Sequence, residues 1–219
     1  MARSDEPHSL KELNRRLAAM TPMVSGGTRA VPGEGPAHAQ IMLVGEQPGD
    51  QEDMQGRPFV GPAGKLLDRA LAEAGIDRSK VYVTNAVKHF KFAQRGNRRL
   101  HSKPNAGEVK HYRWWLQKEL ELVRPKVVVA LGATAVLALA GKPLPIGRNR
   151  GAGELGGRPA VITMHPSYLL RLRDDDDRHK AFADLVTDLR TAKAMATAPM
   201  KPPSKPQGQA RADMKRAVL

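Results

Sequence analysis

Residues 40–53 read Gln40-Ile-Met-Leu-Val-Gly45-Glu46-Gln47-Pro48-Gly49-Asp50-Gln51-Glu52-Asp53, and the rest of the chain is arranged around them. Residues 41–44 are a short apolar run closed by glycine, which predicts a buried strand. Gly45 and the Pro48-Gly49 pair then turn the chain sharply. In an open α/β sheet, ligands bind just beyond the carboxyl ends of the strands. The turn therefore sets Glu46 and Gln47 at the mouth of a pocket, with backbone N–H groups beside them to aim at a ligand. The plainer alternative is a solvated acidic turn.

Outward from this stretch, short apolar runs alternate with helical patterns. Residues 81–84 read as a second strand ending at Asn85, residues 126–131 as a third and residues 159–163 as a fourth. Helices are predicted over residues 63–74, with Gly75 as a C-terminal stop, and over residues 105–123, where Asn105 and Glu108 form a capping box. A small-residue helix follows the third strand to about residue 140, and a closing helix spans residues 179–193. Ahead of the first strand, Leu10, Leu13 and Leu17 share one helical side, and a Gly- and Pro-rich lead-in follows to about residue 37. The alternation argues a three-layer α/β/α sandwich around a mainly parallel four-stranded sheet, occupying residues 38–195. Three segments are expected to be irregular. Residues 54–64 form a loop presenting Phe59 as an exposed aromatic. Residues 88–104 form a basic loop interleaved with Phe90 and Phe92. Asp174 to Asp177 make a solvated acidic turn. From residue 196 the chain is basic and Pro-rich, and is expected to be a disordered tail.

Composition narrows the partners. Lys and Arg outnumber Asp and Glu by 36 to 22 over 219 residues, a formal net charge of +14. Such a field favours a polyanion, nucleic acid before a membrane surface. No run reaches the roughly 18 apolar residues of a membrane span, and the first residues lack the apolar core of a signal peptide. The absence of cysteine removes disulfides, thiolate metal sites and cysteine nucleophiles together. These features lead us to expect a cytoplasmic monomer bound to no membrane.

Four groups with chemical capacity follow strands or lie in a loop able to reach them: Glu46, Asn85, His101 and His165. A carboxylate, an amide and two imidazoles at one sheet edge can read a polar planar ligand and manage charge on it. Each has a plainer reading. Asn85 can cap the next turn, His101 can be one more cation of a solvated loop, and His165 before Pro166 can be satisfied by backbone.

The stretches Gly45-Glu-Gln-Pro-Gly, Gly56-Arg-Pro-Phe-Val-Gly-Pro-Ala-Gly, Thr84-Asn-Ala-Val-Lys-His-Phe-Lys-Phe and His165-Pro-Ser-Tyr-Leu-Leu-Arg, in that order, resemble the uracil-DNA glycosylase superfamily. The likeness runs from about residue 38 to residue 193. Arg98-Arg99-Leu100-His101 resembles the basic loop of the X-type, DNA-cross-linking branch, a relative of the iron–sulfur family-4 enzymes. The resemblance implies a glycosylase that flips uracil out of DNA and cleaves its N-glycosidic bond to begin base excision repair. Uracil-containing DNA, single- or double-stranded, would be the substrate and free uracil a product. Phe59 would stack on the flipped base beside Gly45, Asn85 would pair with its Watson–Crick edge, and the Gln47 backbone N–H and His165 would hold the O2 where negative charge builds. Glu46 would act on the sugar side, and His101 would attack the sugar C1′ and stay bonded to it. Arg98, Arg99, Ser167, Leu170 and Arg171 would contact DNA, Leu170 as part of an apolar wedge. The alternative is a non-catalytic module that binds uracil or abasic sites through the same pocket.

The chain departs from the resemblance in two respects. The cluster-binding relatives use cysteines where this chain has residues near Ala18, Thr21 and Tyr112, and only His89 matches a ligand type of the X-type branch. One imidazole cannot hold a cluster. No metal or cofactor is therefore expected, and packing by Tyr112 and Trp114 is expected to fill the structural role. The basic loop is also shorter than the X-type version and carries Asn97 where that branch has lysine.

Overall fold

A computed structural model of the chain describes residues 6–198. Eight helices and seven strands follow in the order α1 (Leu10–Ala18), β1 (Ile41–Gly45), α2 (Asp50–Gln55), α3 (Pro62–Glu73), β2 (Tyr82–Asn85), β3 (Phe92–Arg95), β4 (Arg98–His101), α4 (Ala106–Val123), β5 (Val127–Leu131), α5 (Ala133–Ala140), α6 (Ile146–Asn149), β6 (Gly151–Leu155), β7 (Arg158–Thr163), α7 (Pro166–Leu169) and α8 (Asp175–Thr197) among the described residues. Five strands form the central sheet in the order β2-β1-β5-β7-β6. All neighbours run parallel except β6, which pairs antiparallel with β7 at the edge. The three-layer sandwich is thus as expected, with a fifth strand added. Most of β6, Gly-Ala-Gly-Glu-Leu, lacks the apolar run that marks a buried strand, because only Leu155 of it is buried.

The apolar runs are continuous because the inner strands are covered on both faces. Every residue of β1 and of β5 is buried. Met42, Val44, Val128 and Ala130 face one layer, with Tyr112, Leu116 and Leu120 of α4 and Val136 of α5. Leu43, Val129 and Val161 face the other, with Leu67 and Leu71 of α3 and Leu185 and Leu189 of α8. The capping box of α4 forms as expected, Asn105 Oδ1 accepting from Glu108 N and Glu108 returning to Asn105 N. The acidic run from Asp174 is no free turn. Asp174 caps α8, and Asp175, Asp176 and Asp177 fill its first turn, where the helix dipole favours negative charge. The expected tail starts too early at residue 196, because α8 runs on to Thr197 with Ala196 packed in the core; from residue 199 the tail lies outside the described residues.

The segment after β2 departs furthest from expectation. Residues 92–101 are not a loop but a β-hairpin in which Phe92 pairs with His101 and Arg95 with Arg98. The residues just before it are not solvated, since Lys88, His89 and Phe90 are all buried. Lys88 Nζ lies 2.6 Å from Glu119 Oε2 and 2.6 Å from Thr84 Oγ1. Burial pulls the Lys88 ammonium pKa down, and Glu119 opposes the shift. Removing one partner of a buried pair of this kind costs about 3–5 kcal/mol.

Strand order explains where a site can form. The chain leaves β1 to place β2 on one side, then crosses back to place β5 on the other. The β1/β5 boundary is therefore a switch point, and a crevice opens beyond the carboxyl ends of these strands. Register keeps the ends level, with Gly45 opposite Asn85 and Leu131 opposite Thr163.

Candidate active site

A cleft of about 990 Å³ lies at this switch point, lined by Glu46, Gln47, Phe59, Asn85, His101 and His165 among others. The four groups singled out from the sequence share one cavity. Glu46 follows β1, and its Oε1 lies 3.2 Å from His101 Nε2. Its other oxygen accepts a 2.5 Å hydrogen bond from Thr134 Oγ1, in the first turn of α5. Burial alone would raise the Glu46 pKa, but the His101 and Thr134 hydrogen bonds and the nearby imidazoles outweigh it and hold the carboxyl below its ordinary value. Glu46 is therefore an ionised carboxylate. Thr134 escaped the sequence reading because Gly132-Ala-Thr looks like an ordinary helix start. The β1/β5 switch point was the available signal, since it sets the segment after β5 against the segment after β1.

Asn85 closes β2 and is 2% exposed, and its Oδ1 is buried without a hydrogen-bond partner. An unpaired amide oxygen in a cleft wall is costly unless a ligand donor meets it. Gly45 must be glycine here, because a Cβ on it would run into Asn85 Oδ1 and the Phe59 ring. Phe59 is not exposed as expected. It is 7% exposed, held at φ +56°, with its ring centroid 5.9 Å from that of His165. The loop folds inward, Gly56 turning the chain at φ +73° and Glu52 holding Gly61 N at the other end.

His165 stands before α7, and its protonation pattern follows from its neighbours. Ser167 N donates to His165 Nδ1 at 3.1 Å, and Ser167 Oγ lies 2.8 Å from the same nitrogen. Arg171 Nη1 donates to Ser167 Oγ at 3.1 Å, so the hydroxyl hydrogen is free to point at Nδ1. Nδ1 is thus an acceptor, and in the neutral ring Nε2 carries the proton. Burial pushes the His165 pKa down to about 4, and Arg171 and His101 add to this against the pull of Glu46. The ring is a neutral hydrogen-bond donor at physiological pH.

His101 reaches the cleft on the hairpin, and three anchors fix that hairpin. Arg99 binds Asp50 Oδ1 and Asp53 Oδ2, each at 2.5 Å, and its guanidinium lies over the rings of Phe90 and Phe92. Gln47 Nε2 donates to Lys91 O at 3.1 Å and Ser102 O at 3.3 Å, while Lys91 N donates to Gln47 Oε1. Lys91 Nζ in turn pairs with Glu108 of α4. Arg99, expected at the DNA, pairs here with Asp50 and Asp53, which offsets part of its charge. The Gln47 side chain likewise belongs to the hairpin. Arg98 is exposed on the outer side of the hairpin, and Leu170 is 50% exposed beside the cleft mouth with Arg171.

The residues at the positions implied for an iron–sulfur cluster do not fit one. The Tyr112 hydroxyl lies 2.8 Å from His89 Nδ1 and accepts from Met23 N, so these groups serve one another. No group of three or more potential metal ligands occurs among the described residues. Tyr112 is fully buried at this junction, as the packing expectation required, whereas Trp114 is 44% exposed and contributes no core.

A cleft at the switch point of a parallel sheet, lined by an aromatic ring, an unpaired amide, an acid and two imidazoles, defines an α/β domain with a polar ligand site. Residues 32–190 match the model of the Uracil DNA glycosylase superfamily, and the chain belongs to that superfamily. Among its relatives, the Type-4 uracil-DNA glycosylase of Thermotoga maritima is 40% identical over 167 residues, 75% of this chain and 83% of that one. The Type-4 uracil-DNA glycosylase of Pyrobaculum aerophilum is 38% identical over 151 residues, 65% of this chain and 74% of that one. The Type-5 enzyme of the same organism is 33% identical, over 64% of this chain and 67% of that one. No helix among the described residues is long and apolar enough to cross a membrane.

Proposed function

We propose that the protein is a uracil-DNA glycosylase of the X-type branch, which draws an extruded uracil into the cleft, breaks its bond to the sugar and captures the sugar on His101. The observation that carries this reading is the convergence of Glu46, Asn85, His101 and His165 on one cleft. The buried Asn85 oxygen accepts from uracil N3–H and the amide N–H₂ donates to O4, a pattern cytosine cannot meet. Phe59 stacks on the base. As the C1′–N1 bond breaks, negative charge gathers on the uracil, and the neutral His165 Nε2–H stabilises it at O2. An imidazole nitrogen of His101 forms a bond to C1′ as the base leaves. The ring becomes cationic, and Glu46, 3.2 Å away, balances its charge. Where water attacks instead, its proton passes to Glu46, and the uracil anion is protonated by solvent. Arg98, Ser167 and Arg171 engage the DNA backbone, and Leu170 enters the space left by the base. All these residues lie on one chain, which supports action as a monomer.

The test is release of free uracil from a single-uracil oligonucleotide, single- and double-stranded, against thymine and cytosine controls. Release from the uracil strand alone is expected. Salt-sensitive retardation of the oligonucleotide without release would instead identify a non-catalytic binding module. A narrower expectation concerns the acid. Thr134→Val keeps the shape but removes the hydroxyl from Glu46, and a lost hydrogen bond to a charged group is worth about 1.5–3 kcal/mol. Single-turnover uracil release is expected to slow at least tenfold, about the lower end of that range. An unchanged rate would show that the Thr134 bond does not set the Glu46 geometry.

A further inference from the structure

Short helix α2 carries an acid that the mechanism above leaves unused. Glu52 is only 8% exposed, lines the cleft and forms no ion pair among those found in the described residues. Its Oε1 accepts a 2.8 Å hydrogen bond from Gly61 N, and its Oε2 a 3.0 Å bond from Gly49 N. Its backbone oxygen accepts a 2.7 Å bond from Gly56 N. Gly56 and Gly61 are the two ends of the loop that carries Phe59, so one residue grips both. Gly49 ends the turn that carries Glu46 and Gln47. Within the loop Phe59 sits at φ +56°, a backbone state that a bulky side chain holds only when its surroundings impose it.

We propose that Glu52 is a positioning residue that fixes the Phe59 ring against the Glu46–Gln47 turn, and so sets the width of the base slot. The proposal rests on the glycosylase reading of the cleft. Its chemistry needs a carboxylate, because two amide donors converge on the two oxygens of one group. In Glu52→Gln one oxygen becomes an N–H₂ that faces an N–H, and one end of the clamp is lost.

Two measurements decide the matter. The first is amide hydrogen exchange of the full chain over residues 49–61. Glu52→Gln is expected to raise exchange at Gly61 or Gly49 and through the Phe59 loop, and unchanged protection would overturn the clamp whatever the activity. The second is steady-state uracil release in a His101→Ala parent, where water is the nucleophile and the enzyme turns over. The variant is expected to raise KM, and the inhibition constant of free uracil, about tenfold, with kcat within about threefold of the parent. In a Phe59→Ala background the same change is expected to add less than about twofold, because Glu52 acts through that ring. A thermal shift with unaltered KM would mark Glu52 as merely structural and overturn the proposal. If Glu52→Gln does not fold, Glu52→Asp carries the same expectations, since it keeps the charge but is one methylene too short to span both amides. A parent protein that releases no uracil would refute the glycosylase reading, and the exchange data would still decide the clamp.

Discussion

Mixed with an oligonucleotide bearing one uracil, the protein is expected to form a protein–DNA species that survives heating in denaturing detergent, and His101→Ala to form none. The expected effect is all or nothing because a covalent N–C1′ bond has no non-covalent substitute under those conditions. The physical case rests on placement. A histidine on a free basic loop would meet C1′ rarely, whereas His101 is the last residue of β4 and its partner Phe92 is the first of β3. Arg99 ties the middle of β4 to α2 through Asp50 and Asp53, and Gln47 ties the base of the hairpin to the turn after β1. The imidazole is thereby held 3.2 Å from Glu46, and pre-organisation of this kind supplies much of the barrier reduction in a reaction between fixed groups. The shorter loop and Asn97 do not prevent closure, since the turn between Arg95 and Arg98 is made with Gly96 at φ +56°. His101→Ala is expected to retain uracil release through water, with Glu46 as the acceptor of its proton. Free uracil from the parent with no heat-stable band would show that water, not His101, is the nucleophile.

The four parallel strands were readable in the sequence because buried parallel strands are apolar runs, unbroken in β1 and β5 and shorter in β2 and β7, whereas their order in the sheet was not. The edge strand β6 was not readable, because its exposed Gly-Ala-Gly-Glu carries neither alternation nor apolar length. The β3–β4 hairpin was hidden for a related reason. Its outward face is polar, and what holds it is distant in sequence: Arg99 finds Asp50 and Asp53 across more than forty residues. Among the residues that line the cleft, Glu46 and His165 were legible because each follows a strand, and Asn85 because it ends one. Thr134 and Glu52 were not, because each acts by a hydrogen bond to another segment that only the folded chain brings near. The same blindness turned Phe59 outward and hid the aspartate partners of Arg99. Composition can say that an aromatic or an arginine is available, but not which internal partner claims it.

His165→Ala is expected to slow uracil release about 10²–10³-fold, the usual cost of removing one preorganised donor from a developing anion. The loss should fall on the single-turnover rate more than on DNA affinity, because the donor matters most once the bond is breaking. His165→Gln, which retains an N–H donor, is expected to recover part of it. The acid side of the pH profile offers a second check on the same residue. An ordinary histidine gains its proton near pH 6.5. Burial lowers His165 to about 4, so the ring stays neutral through the intervening range and protonates only as the pH falls through about 4. Measured in His101→Gln, which removes the second imidazole but keeps a hydrogen-bond donor beside Glu46, uracil release is expected to stay level from about pH 8 to about pH 5.5. A break near pH 6.5 would mean that His165 is exposed to water and is not the buried neutral donor required here. Stability follows the same sign. Because the folded value lies below the unfolded one, the unfolded chain takes the proton first, and the contribution of this site is complete above about pH 6.5 and declines as the pH falls toward 4. Ser167→Ala removes the hydroxyl hydrogen bond to His165 Nδ1, and is expected to leave that pH limit in place while weakening the preference for the Nε2–H tautomer. A loss in rate without a shift in the profile would therefore separate ring orientation from ring protonation as the means by which this site neutralises the departing base.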